Sequence, residues 1–343
     1  MALSVDIEKK LGNFKLKIKF DEENETLALF GASGCGKSMT LKCIAGIEKP
    51  DRGRIVLDGK VLFDSEKHIN LSPQKRNVGY LFQQYALFPN MTVEQNIACG
   101  IRKGRDSQKV SAMIQAMHLE GMEKKHPDQL SGGQQQRTAL ARILIGEPDI
   151  LMLDEPFSAL DTHLRYQMEQ EVRRVIKSFG KSVLLVSHDS YEVYRLADRI
   201  AIMKDGLVEV IGDKKDIYLN PGTTNGAVLT GYRNISAAHG ISEGLVFAED
   251  WGSEIHVNGD VEGITHIAAR TESVKLGGDE NTVICIVEEV ISNAFSYAFR
   301  VTPKNGLEGC EFVINTHTAH PEISEGSEVI VSVPKNDIVL LKD

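Results

Sequence analysis

The apolar run TLALF (26–30) leads straight into GASGCGKS (31–38), and a helical pattern from Met39 to Ala45 follows. The octapeptide fits G-x-x-x-x-G-K-[ST], and strand, glycine loop, helix is the setting in which that pattern has a mechanism. Glycines let the backbone fold around phosphate groups, and the loop amides and helix N-terminus supply partial positive charge. In this reading Lys37 reaches the β- and γ-phosphates and the Ser38 hydroxyl ligates Mg2+. Gly31, Ser33, Gly34, Cys35, Gly36 and Met39 complete the candidate nucleotide loop. The competing reading is a glycine-rich turn with a solvated lysine. For Cys35 the choice lies between a reactive thiol and a small side chain that fits.

Two further strand ends add chemistry. ILMLDEP (150–156) closes an apolar run with adjacent carboxylates. Neighbours along a strand point to opposite faces, but at its end Asp154 and Glu155 can divide the labour. Asp154 would hold Mg2+ through its water shell, and Glu155 would orient and polarise an attacking water. VSHD (186–189) ends another run, so His188 would sit at the same sheet edge, able to bond the γ-phosphate and fix the water against Glu155. Open α/β sheets bind ligands at strand C-termini. The plainer alternatives are two solvated acids and a structural histidine.

The first 220 residues read as α/β: TLALF, ILML (150–153), VLLV (183–186) and RIAIM (199–203) are apolar throughout, as strands of a parallel sheet buried on both faces require. Leu164, Met168, Val172, Val175, Ile176 and Phe179 fall on one helical face, stopped by Gly180, and Val110, Met113, Ile114 and Met117 make a second stripe. Between about 84 and 147 helices dominate, as in a helical insert. NPGTTNG (220–226) reads as a linker. Beyond it, short β-like runs divided by Gly, Asn and Asp predict a small barrel-like all-β domain. The expected domains are 1–225 and 226–343.

A net charge of -9 argues against a nucleic-acid partner. No run of about 18 apolar residues is present, and MALSVDIEKK is not a signal peptide. Five cysteines without C-x-x-C spacing suggest neither zinc nor a disulfide framework, and a reducing cytoplasm is the simplest home.

LSGGQQQR (130–137) narrows the choice. With GASGCGKS upstream, Gln83 in YLFQQY, ILMLDEP, SALD (158–161) and VSHD, the set resembles the ATP-binding-cassette family over residues 1–220. The resemblance implies an ATPase with ATP and Mg2+, working as a head-to-tail homodimer. Ser131, Gly132 and Gly133 would offer a hydroxyl and amides to the γ-phosphate held by the other copy. Ser131 also suits a helix N-cap, and glycine permits close approach. Gln83 resembles the glutamine that touches Mg2+ and the water, and Asp161 the aspartate that couples the two sites. Phe14, in LGNF (11–14), is the candidate adenine-stacking residue, with strand packing as its equal alternative.

The β-rich tail resembles importer ATPases with an OB-like regulatory domain, and IAARTESVKL (267–276) looks like their arginine-centred strand motif. Residues 64–97 resemble molybdate-importer ATPases, with sulfate and tungstate importers as near neighbours. This implies membrane permease subunits as partners, indirectly a solute-binding protein, and a peripheral place on the cytoplasmic face of the membrane. YALFPNM (85–91) would line a groove for a permease helix or pack within the helical insert. The alternatives are an importer ATPase for a sugar, polyamine or ferric ion, a soluble cassette ATPase, or an inert sensor.

Overall fold

The computed structural model describes residues 3–101, 104, 106–158 and 162–343. Two compact units divide at Lys214 and Lys215.

In the first unit an 11-stranded sheet carries five adjacent parallel strands, in the order Arg199–Lys204, Thr26–Gly31, Val183–Ser187, Ile150–Asp154, Val78–Leu81. Every residue of Thr26–Gly31, Ile150–Asp154 and Val183–Ser187 is buried, so these strands can be apolar throughout without exposing a face. The other half of the sheet is largely antiparallel. Its hairpin Leu3–Leu11 and Phe14–Glu22 alternates, with Leu16, Ile18 and Phe20 buried between exposed lysines and Asp21. The four strand ends at Gly31, Leu81, Asp154 and Ser187 lie side by side in the sheet and bring the three motifs to one edge.

The interval 84–147 holds the helices Val93–Ala98, Ser107–Ala116 and Gly132–Leu144, with no strand among its described residues. Val110 and Ile114 bury the stripe of the second of these. In the helix Thr162–Phe179, Met168, Val172 and Val175 are buried and Ile176 and Phe179 partly so, while Leu164 lies outside the described side chains.

The second unit, Lys215–Asp343, stacks two five-stranded antiparallel sheets around Trp251, Phe299 and Phe312. Trp251 is wholly buried, its ring centroid 4.8 Å from that of Phe312. The NPGTTNG stretch falls inside this unit. Thr223 caps the helix Thr224–Leu229, the Gly222 carbonyl accepts from Lys342 N, and Thr224 N donates to Asp343. Arg270 lies over the Tyr232 ring at 4.2 Å and donates to the carbonyls of Thr230 and Tyr218. These contacts move the division between compact units upstream of the expected 225/226.

Arg76 anchors the helix that follows the glycine loop. Its guanidinium is fully buried and donates to the carbonyls of Cys43 (2.9 Å), Ile44 (2.8 Å) and Leu71 (2.8 Å) and to Asn70 Oδ1. Cys43 and Ile44 stand in the last turn of Lys37–Ala45, where carbonyls lack intrahelical donors and a cation complements the helix dipole. Gly46 completes the arrangement: its φ is +78°, and a Cβ there would lie 2.5 Å from Arg76 Nε. Replacing Arg76 with Ala leaves the buried Ile44 carbonyl without this donor and Cys43 O with only its 3.2 Å bond from Gly46 N, so urea unfolding should report a loss of about 3 kcal/mol. A loss below about 0.5 kcal/mol, the size of an ordinary surface change, would remove Arg76 from this role.

Candidate functional site

The loop 31–38 turns on Gly36, the residue before the helix Lys37–Ala45. Its φ is +107°, and a Cβ there would stand 2.5 Å from Leu16 Cδ1 and 3.3 Å from Phe14 Cζ. Glycine is therefore required by both backbone and space. The same contact places the half-buried Phe14 ring beside the loop. Lys37 is buried, and its Nζ donates to the carbonyls of Gly31 (2.7 Å) and Ala32 (2.9 Å). The lysine thus holds the loop curled around its own ammonium. Ser33 and Gly34 are exposed, and Met39 is partly buried. Cys35 is buried, and desolvation pushes its thiol up, which favours the inert reading over the reactive one.

Ser38 Oγ donates to Asp154 Oδ1 at 2.7 Å, joining the loop helix to the end of the strand Ile150–Asp154. Tyr80 OH donates to the other oxygen, Asp154 Oδ2, also at 2.7 Å. Tyr80 is nearly buried, and burial with the adjacent carboxylate drives its phenol far above the ordinary range, so it stays a donor. A hydroxyl and a carboxylate in contact are the hard oxygen donors that suit Mg2+, which binds through one or two protein oxygens with water and phosphate completing its shell. Among the described residues no group of three or more His, Cys, Asp or Glu could hold a metal ion.

At Glu155 φ becomes +46°, which takes the chain off the extended path that would set it opposite Asp154. Its N–H donates to Val186 O, and its carbonyl accepts from Ser158 Oγ. The carboxylate meets two side chains: Gln83 Nε2 is 3.3 Å from Oε2, and His188 Nδ1 is 3.3 Å from Oε1. Glu155 is 18% exposed and His188 53%, so the imidazole stands at the rim over a half-sheltered carboxylate.

LSGGQQQR opens the helix Gly132–Leu144 with a capping box: Ser131 Oγ accepts from Gln134 N, and Gln134 Oε1 accepts from Ser131 N. Among the described residues the amides of Gly132 and Gly133 find no acceptor, and neither these glycines nor Ser131 bonds to the phosphate loop. Asp161 lies outside the described residues.

A family model described as ABC transporter matches residues 12–158. The spermidine/putrescine import ATP-binding protein of Acetivibrio thermocellus is 36% identical over 351 aligned positions, 99% of this chain and 94% of that one. The chain belongs to the ABC transporter family of ATPases. The namesake from Clostridioides difficile is 44% identical over 66% of this chain and 64% of its own length. The sulfate/thiosulfate import ATP-binding protein of Caulobacter vibrioides is 43% identical over 63% and 66%. The ATP-binding cassette MJ0796, solved as a dimer in a post-hydrolysis state with ADP and Pi, aligns with 62% of this chain and 98% of its own at TM-score 0.52 and 28% identity.

The cassette also carries a surface that its motifs do not include. A cavity of about 540 Å³ is bordered by Ile47, Val78, Phe82, Phe88, Cys99 and Arg142. YALFPNM divides over it: Tyr85 is buried, whereas Phe88 is 48% exposed. Arg142 donates to the carbonyls of Tyr85 and Ala86 and stacks 5.2 Å from the Phe88 ring centroid. Asn96 brackets the turn from below, bonding the backbone of Phe88, Met91 and Thr92. No helix among the described residues is long and apolar enough to cross a membrane.

Tyr80 escaped the sequence reading because a tyrosine inside an apolar strand looks like core; its polar tip alone marks it. Tyr80→Phe removes a hydrogen bond to a charged acceptor and should cost about 1.5–3 kcal/mol in urea unfolding. An unchanged midpoint would mean that Asp154 Oδ2 has no need of this donor.

Proposed function

We propose that this chain is the energy-coupling ATPase of an ABC importer, acting as a pair of copies on the cytoplasmic face of the membrane. The observation that carries the reading is the arrangement around the loop: Lys37 beneath it, the Ser38–Asp154 pair beside it, and Glu155 held between Gln83 and His188. Lys37 exchanges loop carbonyls for β- and γ-phosphate oxygens. Ser38 and Asp154, and Gln83 from its place against Glu155, are the residues that would hold Mg2+, whose charge neutralises the phosphates. Glu155 orients and polarises the water, and His188 fixes that water and the γ-phosphate against it. Phe14 offers its ring to adenine from beside Gly36.

The unpaired amides of Gly132, partly exposed, and Gly133, buried in the single chain, with the exposed Ser131, serve the γ-phosphate bound by the other copy, at the positive end of a 13-residue helix. Closure of the two copies then completes both sites at once, with Asp161 coupling them. The dimeric solved cassette supports this pairing. The apolar cavity walled by Phe82 and Phe88 suits a helix of a permease subunit, through which the chain serves a solute-binding protein indirectly. The net charge of -9 suits no nucleic-acid role.

Residues 64–97 point to molybdate, but the relative aligned along 99% of the chain is named for spermidine and putrescine. A polyamine is therefore the favoured cargo. Sulfate is the second reading, on the strength of the Caulobacter relative. The cassette places no residue on the cargo in either case. ATPase assays of the chain with its permease, stimulated by binding protein loaded with spermidine, sulfate or molybdate, decide among them, and stimulation by molybdate alone would restore the molybdate reading.

Glu155→Gln should leave ATP binding intact while slowing hydrolysis by roughly 10²–10³-fold, the scale of losing one positioned group, and should accumulate an ATP-bound dimer. A near-native rate would remove Glu155 from the water. Ser131→Arg should abolish hydrolysis while equilibrium ATP binding to the single chain stays unchanged. Hydrolysis at the native rate would contradict a shared site.

A further inference from the structure

We propose that Arg165 is a positioning residue for hydrolysis, holding the turn that carries His188 to the helix that follows Glu155 in the chain. The inference rests on the roles of His188 and Glu155 given above. His188 sits between two residues fixed by their side chains. Ser187 is buried, its Oγ donating to Glu192 Oε2 at 2.7 Å and accepting from Asp189 N at 3.0 Å. Asp189 Oδ1 caps the next helix, Ser190–Leu196, by accepting from the amides of Tyr191 (2.8 Å) and Glu192 (3.1 Å). The backbone on either side of the imidazole is therefore set by one short circuit of Ser187, Asp189 and Glu192.

Both carboxylates of that circuit turn a second oxygen toward Arg165. Arg165 Nη1 is 3.6 Å from Asp189 Oδ2, and Arg165 Nε is 4.0 Å from Glu192 Oε1. Glu192 is almost wholly buried, and burial pushes its carboxyl up while Arg165 opposes the rise. Arg165 Nε is sealed from solvent and makes no hydrogen bond among the described residues. It attracts Glu192 across 4.0 Å and needs only a small rotation to bond it. Arg165 stands near the start of the helix Thr162–Phe179, downstream of Glu155 and of SALD. The guanidinium thus spans the two chain segments whose leading residues, Glu155 and His188, face each other at 3.3 Å. A shift of either segment is transmitted to the other through this fork, and loss of the fork lets the imidazole drift from the carboxylate.

The test is steady-state ATP hydrolysis by the full-length chain, wild type first, with Arg165→Ala, Arg165→Lys, His188→Ala and the double variant Arg165→Ala/His188→Ala. Arg165→Ala should lower kcat roughly tenfold or more while KM stays within about twofold, the pattern of a lost transition-state arrangement. Arg165→Lys should recover part of the rate, since it keeps the charge and loses the fork. In the His188→Ala background, removing Arg165 should have no further effect, because it acts through that histidine. Equal fractional losses in both backgrounds, or a raised KM with kcat kept, would reduce Arg165 to a counter-ion. If Arg165→Ala does not fold, Glu192→Gln gives the same two readouts, keeping an acceptor for Ser187 and removing the charge that Arg165 meets. A wild-type chain that binds ATP without hydrolysing it overturns the ATPase role itself, and the Arg165 inference with it; a hydrolysing wild type with additive variants overturns the Arg165 inference alone.

Discussion

The hydrogen bond from Ser38 to Asp154 joins the two halves of the chemistry. One partner opens the loop helix, and the other closes a strand more than a hundred residues later. The parallel sheet makes the meeting possible. Its strands are buried on both faces, run in register, and end together, so residues distant in sequence become neighbours at one edge. The positive φ at Glu155 then separates two adjacent carboxylates into different tasks, Asp154 toward Ser38 and Tyr80, Glu155 toward Gln83 and His188. Arg76 and Gly46 hold the far end of the loop helix, which fixes where its near end points.

Much of this was legible in the sequence because its signals are local. GASGCGKS declares its own backbone through glycine spacing, and the buried parallel strands announce themselves as unbroken apolar runs. Helix starts were legible for the same reason, as with Ser131 at its N-cap, whereas the reciprocal bond from Gln134 came from the structure. Arg76 and Tyr80 were not, since their partners lie 33 and 74 residues away. In QKRN an arginine looks like a solvated cation, and nothing nearby reveals the carbonyls it covers. NPGTTNG misled for a related reason. Turn-forming residues also cap helices, and only contacts to the C-terminal strand, through Lys342 and Asp343, tie this stretch into the second unit.

In the proposed function the signature stretch is the part of the site that a single chain leaves unfinished. Its capping box satisfies Ser131 and Gln134 locally, while two glycine amides beside them have no acceptor among the described residues. Backbone donors at a helix N-terminus are a ready anion site, and the phosphate loop of the same chain makes no bond to them. A symmetric pair resolves this, because each loop can face the other copy's signature. In the proposed pair chemistry depends on closure, and the groove at Phe82 and Phe88 would carry that motion to a membrane partner.

The shared site is tested most directly by mixing two inactive chains. One carries Lys37→Ala and lacks a working phosphate loop; the other carries Ser131→Arg and lacks a working signature. Random pairing makes half of the dimers mixed, and each mixed dimer holds one site with both parts intact, so ATPase activity should return to at most about a quarter of the wild-type rate. If each chain completes its own site, every site in the mixture remains broken, and a mixture as inactive as its components would contradict the account.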